Sequence, residues 1–290
     1  MNGETRPTKL GIIGAGGVGS ATAYAATLRG SASEIVLYDI DGKRAHAEAL
    51  DIAHGSMFAH EANIIGGSEL ETLKDADMII ITAGARQEPN QPRMELAGAN
   101  VRILEKLLPD LMSVAPGAIY MLVTNPCDVL TVVTQKITGL PANRVLSSGT
   151  VLDSSRLRWL IAAKAGVSIK SVHANIVGEH GDSEFAIWST ANVGSQPINK
   201  LLKKSELDKI EEDTKLAAYK IIEKKGATYY GIGACVTSIV NCIFNDERRV
   251  LPVSTYDAYT DTFFGFPSVV GRRGVVRRLD TELSEDEELK

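Results

Sequence analysis

The first half of the chain alternates short, continuous apolar runs with longer stretches of helical spacing. Lys9-Leu-Gly-Ile-Ile, Glu34-Ile-Val-Leu-Tyr, Met78-Ile-Ile-Ile-Thr and Ala118-Ile-Tyr-Met-Leu-Val are rich in β-branched and aliphatic residues. Such runs predict parallel strands buried on both faces. Between them, residues 21–28, 43–57, 95–108 and 128–138 read as helices, the third expected to stop at Pro109 and the fourth before Gly139 and Pro141. This rhythm predicts an α/β fold with a doubly wound parallel sheet. Beyond about residue 146 it changes. Residues 152–163 are amphipathic, 172–177 alternate like a strand, and 205–244 are mostly helical with breaks expected at Gly226, Gly231 and Gly233. Residues 250–276 read as β-hairpin material turning at Gly271 and Gly274. Two units are expected, 1–146 and 147–290, the second an α+β domain packed on the first without a floppy linker.

The turn after the first apolar run carries the earliest chemical signal. Gly14, Gly16 and Gly19 have the spacing G-x-G-x-x-G between a strand and a helix. There the first glycine makes the tight turn, the second admits a pyrophosphate, and the third lets helix and strand approach closely. The helix N-terminus then faces the phosphates. Asp39 closes the second strand twenty residues after Gly19. A carboxylate there accepts from both ribose hydroxyls and repels a 2′-phosphate, so the Rossmann-type first unit is expected to bind NAD rather than NADP.

Composition narrows the partners. The chain has 290 residues, 44% hydrophobic and 23% charged, with 31 basic against 36 acidic residues for a net charge of −5. Dispersed bases argue against a nucleic-acid surface and leave small molecules as partners. No apolar run approaches the roughly 18 residues of a membrane span, and the first eight residues are polar, so a cytoplasmic protein is expected. Cys127, Cys235 and Cys242 are odd in number and embedded in apolar sequence. They read as buried thiols in a reducing compartment rather than disulfides, and no metal site is expected.

His180 lies between Gly178 and Gly181 with carboxylates on each side, a placement that suits an exposed working imidazole. Asp153 and Arg156 are three apart and share a helix face. A polar loop from Gly84, holding Arg86 and Arg93, follows the strand at 78–82, and loops at that edge of an open α/β sheet bind ligands and can close over them. Three motifs follow the glycine turn in order: Thr124-Asn-Pro, Leu152-Asp-Ser-Ser-Arg and Gly178-Glu-His-Gly-Asp-Ser. Together they resemble those of the L-lactate and malate dehydrogenases, and the resemblance covers nearly the whole chain.

That resemblance implies NAD-dependent hydride transfer on a 2-hydroxy acid. His180 is similar to the family's proton-transferring histidine, Asp153 to the carboxylate that orients it, and Arg156 to the arginine gripping the substrate carboxylate. Arg93 resembles the arginine that closes on the substrate and polarises its C2 oxygen. Asn125 would hydrogen-bond that oxygen, and Asp128 and Thr228 also fall where the family contacts substrate. Val18, Arg44, Gly84, Ala85, Val123, Asn125 and Ser148 fall where it lines the cofactor groove. Gln87 stands where the malate type has an arginine, so the resemblance is to the lactate side and to pyruvate as oxoacid. It further implies a homotetramer, and Arg158 with His173 match positions where related bacterial lactate dehydrogenases bind fructose 1,6-bisphosphate. The chain departs from the family in Asn90-Gln-Pro within the loop, in Gly17, and in a last helix, opened by a Ser284–Glu287 capping box, that the family continues further.

Overall fold

The computed structural model describes residues 7–85 and 93–290, the side chains of Arg93 and Met94 excepted. The first half is built as β1 (Lys9–Ile13), α1 (Gly17–Leu28), β2 (Glu34–Tyr38), α2 (Gly42–His54), β3 (Asn63–Gly67), β4 (Met78–Ile81), α3 (Arg93–Val114), β5 (Ile119–Leu122), α4 (Cys127–Thr138) and β6 (Val145–Ser147). These six strands run parallel in the order β3-β2-β1-β4-β5-β6. β4 and β5 are buried along their whole length, as their unbroken apolar sequence requires. The strand order reverses between β1 and β4, and the crevice beyond their carboxyl ends is where an open α/β sheet takes its ligand.

The second half runs through α5 (Val151–Ala165), β7 (Val172–His173), β8 (Ile176–Val177), β9 (Phe185–Ala186), β10 (Asn192–Val193), β11 (Gln196–Pro197), α6 (Lys204–Lys225) and α7 (Tyr230–Phe244). It ends in β12 (Arg249–Leu251), β13 (Ser254–Asp257), β14 (Thr262–Gly265), β15 (Ser268–Gly271), β16 (Gly274–Arg278) and α8 (Glu285–Glu288). Small antiparallel sheets form from β11-β10-β7, β12-β15-β16 and β8-β9, so this half is α+β as expected. Among the described residues no helix is long and apolar enough to cross a membrane.

Several expectations are corrected. The hairpin β13–β14 does not stay in the second unit: Ser254 pairs with Ser147, adding two antiparallel strands to the large sheet. The large sheet thus draws strands from both sides of the expected 146/147 division. Pro109 does not stop α3, which continues to Val114. Pro109 is exposed, so water can serve the carbonyl its missing N–H leaves free, while buried Leu104, Leu108 and Leu111 hold the helix on the sheet. Gly231 and Gly233 do not interrupt the helical region; both lie inside α7, and the break is at Gly226, which is left-handed at φ 83°. The hairpin turn at Gly271 and Gly274 and the Ser284–Glu287 capping box form as expected. Glu287 also accepts from the backbone of Trp188 and Ser189, which ties α8 to the residues after β9. Cys127 and Cys242 are buried, Cys235 half-buried, and all three are free thiols.

Gly233 has a packing reason. A Cβ there would meet the Ala21 backbone carbon of α1 at 2.9 Å, whereas one at Gly231 would meet only a Leu152 methyl at 3.5 Å. Gly233→Ala therefore overpacks the α1–α7 contact, costing about 1–3 kcal/mol, against a helix-propensity gain of about 1 kcal/mol. Gly231→Ala has only the gain. Thermal unfolding followed by circular dichroism should show a lower midpoint for Gly233→Ala and an equal or higher one for Gly231→Ala; equal midpoints would mean that the two helices slide apart freely.

Candidate active site

The glycine turn is fixed from both neighbouring strands. Gly14 N–H donates to Tyr38 O at 2.7 Å, and the Thr82 hydroxyl donates to Ile13 O at 3.0 Å and Gly14 O at 3.1 Å. Gly14 adopts φ +102°, a left-handed conformation that side chains resist. A Cβ at Gly19 would stand 1.8 Å from Gly14 O, so α1 packs as closely as the motif demands. At Gly16 an added Cβ would meet nothing within 4 Å. That open space beside the start of α1 is what a diphosphate needs, and the residues present fit NAD. Asp39 lies half-buried beside the turn, with Oδ2 accepting from Ala15 N at 2.7 Å and Oδ1 from Asp41 N at 3.0 Å. A carboxylate has about four acceptor sites, so both oxygens can still take ribose hydroxyls. A hollow of about 530 Å³ lined by Ile40, Asp41, Gly42, Lys43, His46 and Ser68 opens next to it.

Val18 is half-buried on α1, and Arg44 is exposed on α2, next in sequence to Lys43 of that hollow. Gly17, exposed, leaves room for Tyr229, whose ring an added Cβ would meet at 3.2 Å. The segment carrying Thr228 is thereby laid against the start of α1. Gly84 and Ala85 follow β4, Val123 and Asn125 follow β5, and buried Ser148 follows β6, all at carboxyl ends of the sheet. Asn100, which the sequence does not single out, stitches two of these ends together. Its Oδ1 accepts from Ala85 N and its Nδ2 donates to Asn125 O, each at 2.7 Å. A lone asparagine on the buried face of α3 was its only signal.

The second cluster is centred on Asp153, buried on α5. Its Oδ2 lies 2.7 Å from His180 Nδ1 and its Oδ1 2.6 Å from Arg156 Nη1. The i, i+3 spacing thus brings Arg156 and Asp153 together as predicted, and the fold adds the histidine. His180 follows β8, where Gly178 and Gly265 exchange two backbone bonds at 2.9 Å and so fasten the loop to β14 of the large sheet. Asp128, at the start of α4, lies behind the histidine. Its Oδ2 accepts from His180 N at 2.7 Å and its Oδ1 from the Ser147 hydroxyl at 3.2 Å. Both oxygens are thus turned to protein groups; in this structure Asp128 holds the His180 backbone.

Burial alone would lower the His180 pKa, but the hydrogen bonds and charges of Asp153 and Glu184 carry it up to about 10. Burial pushes the Asp153 carboxyl up, and His180 with Arg156 outweighs that and holds it below its ordinary value. Ligand atoms of Asp153, His180 and Glu184 lie within 4.8 Å of one another, a closeness that their ion pairing accounts for. Glu184 was not expected from the sequence, because it sits four residues past the histidine with no motif to mark it. Arg158 donates from Nε to Ala174 O and from Nη2 to Asn175 Oδ1, both at 2.8 Å, which brings it beside the strand bearing exposed His173. Arg86 and Gln87 lie outside the described residues, as does the Arg93 side chain, whose backbone opens α3.

The open space at Gly16 can be checked by binding. Its backbone, φ −77° and ψ −178°, suits alanine. Gly16→Ala should keep or raise stability by about 0.4–1 kcal/mol and weaken NAD binding, read by calorimetry, at least tenfold. Unchanged affinity would remove the dinucleotide from this turn.

Residues 8–147 match the model of the lactate/malate dehydrogenase NAD-binding domain, and residues 150–290 match that of the family's α/β C-terminal domain. The chain is 46% identical to an L-lactate dehydrogenase of Bifidobacterium animalis subsp. lactis over 99% of its length and 93% of the relative's. It is likewise 46% identical to an L-lactate dehydrogenase of Kosmotoga olearia, covering 96% of this chain and 90% of that one. A crystal structure of the minor L-lactate dehydrogenase of Enterococcus mundtii in a ligands-bound form superposes with a TM-score of 0.93 at 39% identity, covering 97% and 93% of the two chains. With the glycine turn, the Asp39 carboxylate and the His180–Asp153–Arg156 cluster in place, the chain belongs to the lactate/malate dehydrogenase family and is an oxidoreductase that uses NAD.

Proposed function

We propose that the chain is an L-lactate dehydrogenase interconverting (S)-lactate and pyruvate. One observation carries the reading: the buried Asp153 carboxylate, with His180 on one oxygen and Arg156 on the other. Asp153 fixes the imidazole by Nδ1 and stabilises its cation, leaving Nε2 to work on substrate. In reduction, bound NADH supplies a hydride to C2 of the oxoacid. The Nε2–H proton of His180 passes to the C2 oxygen as charge develops there, and His180 is left neutral. In the reverse direction neutral His180 takes the hydroxyl proton.

Arg156 has five N–H donors and gives one to Asp153, so the rest can clamp the substrate carboxylate through paired hydrogen bonds. Asn125 and Thr228 complete the substrate contacts, and Arg93 at the head of α3 polarises the C2 oxygen. Val18, Arg44, Gly84, Ala85, Val123 and Ser148 line the groove between Asp39 and these groups. Gln87 offers no cation to a second carboxylate, which favours pyruvate over oxaloacetate, and the relatives named above are L-lactate dehydrogenases.

Assembly and regulation follow from the same resemblance. The protein is a cytoplasmic homotetramer activated by fructose 1,6-bisphosphate, bound where Arg158 and His173 of facing subunits meet. Exposed Trp159 beside Arg158, and exposed Met57 and Phe58, are large apolar side chains that such contacts would cover. A bisphosphate relieves repulsion between the facing cations and is favoured by charge-assisted hydrogen bonds. Arg158 lies on the helix that carries Arg156, so effector and substrate carboxylate couple through α5.

Loss of NADH absorbance on mixing with pyruvate, and a much smaller loss with oxaloacetate, tests the substrate. No loss with pyruvate ends the reading, and equal or faster loss with oxaloacetate returns it to the malate type. His180→Ala should bind NAD as the parent does and turn over on the order of 10² to 10⁴ more slowly. Near-full turnover in that variant would displace His180 from its role. Fructose 1,6-bisphosphate should lower the pyruvate KM of the parent, and Arg158→Gln should abolish the effect. No activation in the parent, or equal activation in the variant, removes the effector.

A further inference from the structure

Asp128 holds the His180 backbone, and Glu184 is the carboxylate beside the His180 ring to which the reaction above assigns no role. It is 3% exposed, and its Oε2 is among the buried side-chain atoms without a hydrogen-bond partner. That oxygen stands 3.6 Å from His180 Nδ1, the ring nitrogen that Asp153 binds at 2.7 Å. The backbone makes this possible. Gly181, at φ +155°, follows the histidine, and Glu184 N–H returns to Gly181 O at 3.2 Å, so four residues fold back and carry the carboxyl under the ring. Glu179 and Asp182, the neighbours in sequence, are exposed instead.

A buried carboxylate oxygen that has no hydrogen-bond partner is costly unless a cation answers it. Among the described residues the charged and titratable groups facing His180 are Asp153 and Arg156 from α5, Asp128 from α4, and Glu184 from its own loop. Arg156 makes its ion pair with Asp153 and none with Glu184 among the described residues, and Asp128 is turned to the His180 backbone and Ser147. The cation left for Glu184 is the imidazolium. When His180 loses its proton, Glu184 loses its cation and keeps only the Gly181 backbone hydrogen bond, so the pair resists deprotonation more than Asp153 would cause by itself.

Resting on the proposed reading of the site, we infer that Glu184 is a positioning residue that keeps His180 loaded with its proton, extending oxoacid reduction to alkaline pH and restraining proton uptake from the hydroxy acid near neutrality. Its effect passes through His180; it touches neither substrate nor cofactor. Burial and the Asp153 charge raise the Glu184 carboxyl above its ordinary value against the pull of His180 and the Gly181 backbone, the pattern of an acid whose charge depends in part on the histidine. The sign follows for His180: raised in the folded chain to about 10, its protonated form persists above the ordinary imidazole range and is lost as pH rises through that value.

Glu184→Gln removes the charge at constant size. Only five histidines are present, so the His180 ring can be followed by nuclear magnetic resonance, and its titration should move down by at least one unit in the variant. Pyruvate kcat/KM should stay within threefold of the parent at pH 6 and fall at least tenfold relative to it at pH 9. Lactate kcat/KM at pH 7 should rise. Glu184→Asp, which keeps a charge, should restore part of the alkaline limb. If glutamine prevents folding, Glu184→Met fills similar volume without an unpaired polar atom and is read the same way.

A loss equal at every pH with an unmoved titration would show that Glu184 only packs, and would overturn the inference. A parent that does not reduce pyruvate would overturn the substrate reading. The ring titration, which needs no substrate, would still decide on Glu184.

Discussion

The shared carboxylate of Asp153 is the constraint on which the site depends. It is 1% exposed, so its charge is tolerable only with cations in contact, and it has two: His180 on Oδ2 and Arg156 on Oδ1. On the proposed reading, one of these groups exchanges a proton and the other holds an anion. Asp153 therefore fixes the distance between proton donor and carboxylate clamp. Removing it would strand both cations and loosen both geometries at once, which is why acid–base work and substrate orientation cannot be apportioned to separate residues here.

That carboxylate works only because backbone brings the histidine to it. Asp153 is on α5, His180 is on the loop after β8, and the two are 27 residues apart in sequence. The loop is held by Asp128 of α4 through the His180 N–H and by the paired bonds between Gly178 and Gly265. Gly265 ends β14, and β14 pairs with β13 on the edge of the large sheet beside β6. The same sheet carries the glycine turn at the end of β1. The glycine turn and His180 are thus referred to one sheet, and the two antiparallel strands donated by the second half make that possible.

What the sequence made legible was whatever is written in local spacing. The G-x-G-x-x-G turn, Asp39 at the second strand's end, the Asp153–Arg156 helix face and the Ser284–Glu287 capping box depend on residues within a turn or a strand of one another, and each is found in place. What stayed hidden depends on tertiary packing. Pro109 looks like a stop because propensity disfavours it, yet three buried leucines outweigh that preference. Gly231 and Gly233 look like breaks, but Gly233 is where α7 needs no side chain against α1. The partners of Asn100 and Asp128 lie 15 to 52 residues away, beyond the reach of periodicity. Glu184 is close in sequence, but only the fold-back at Gly181 turns it toward the ring rather than to water.

Charge counting then connects the site to the charge of its proposed substrate. Asp128, Asp153 and Glu184 supply three carboxylates, and protonated His180 with Arg156 supplies two cations, so the described cluster holds no surplus positive charge before substrate arrives. A monocarboxylate oxoacid adds one negative charge, which the proposed approach of Arg93 offsets. A dicarboxylate adds a second, and Gln87, an amide where the malate type has arginine, offers it nothing. In a partly buried site an unmatched charge costs more than any single neutral hydrogen bond returns. On the proposed reading, discrimination between the two oxoacids therefore need not come from pocket volume: it follows from the number of cations, and Glu184 enters that sum on the same footing as the groups proposed to touch the substrate.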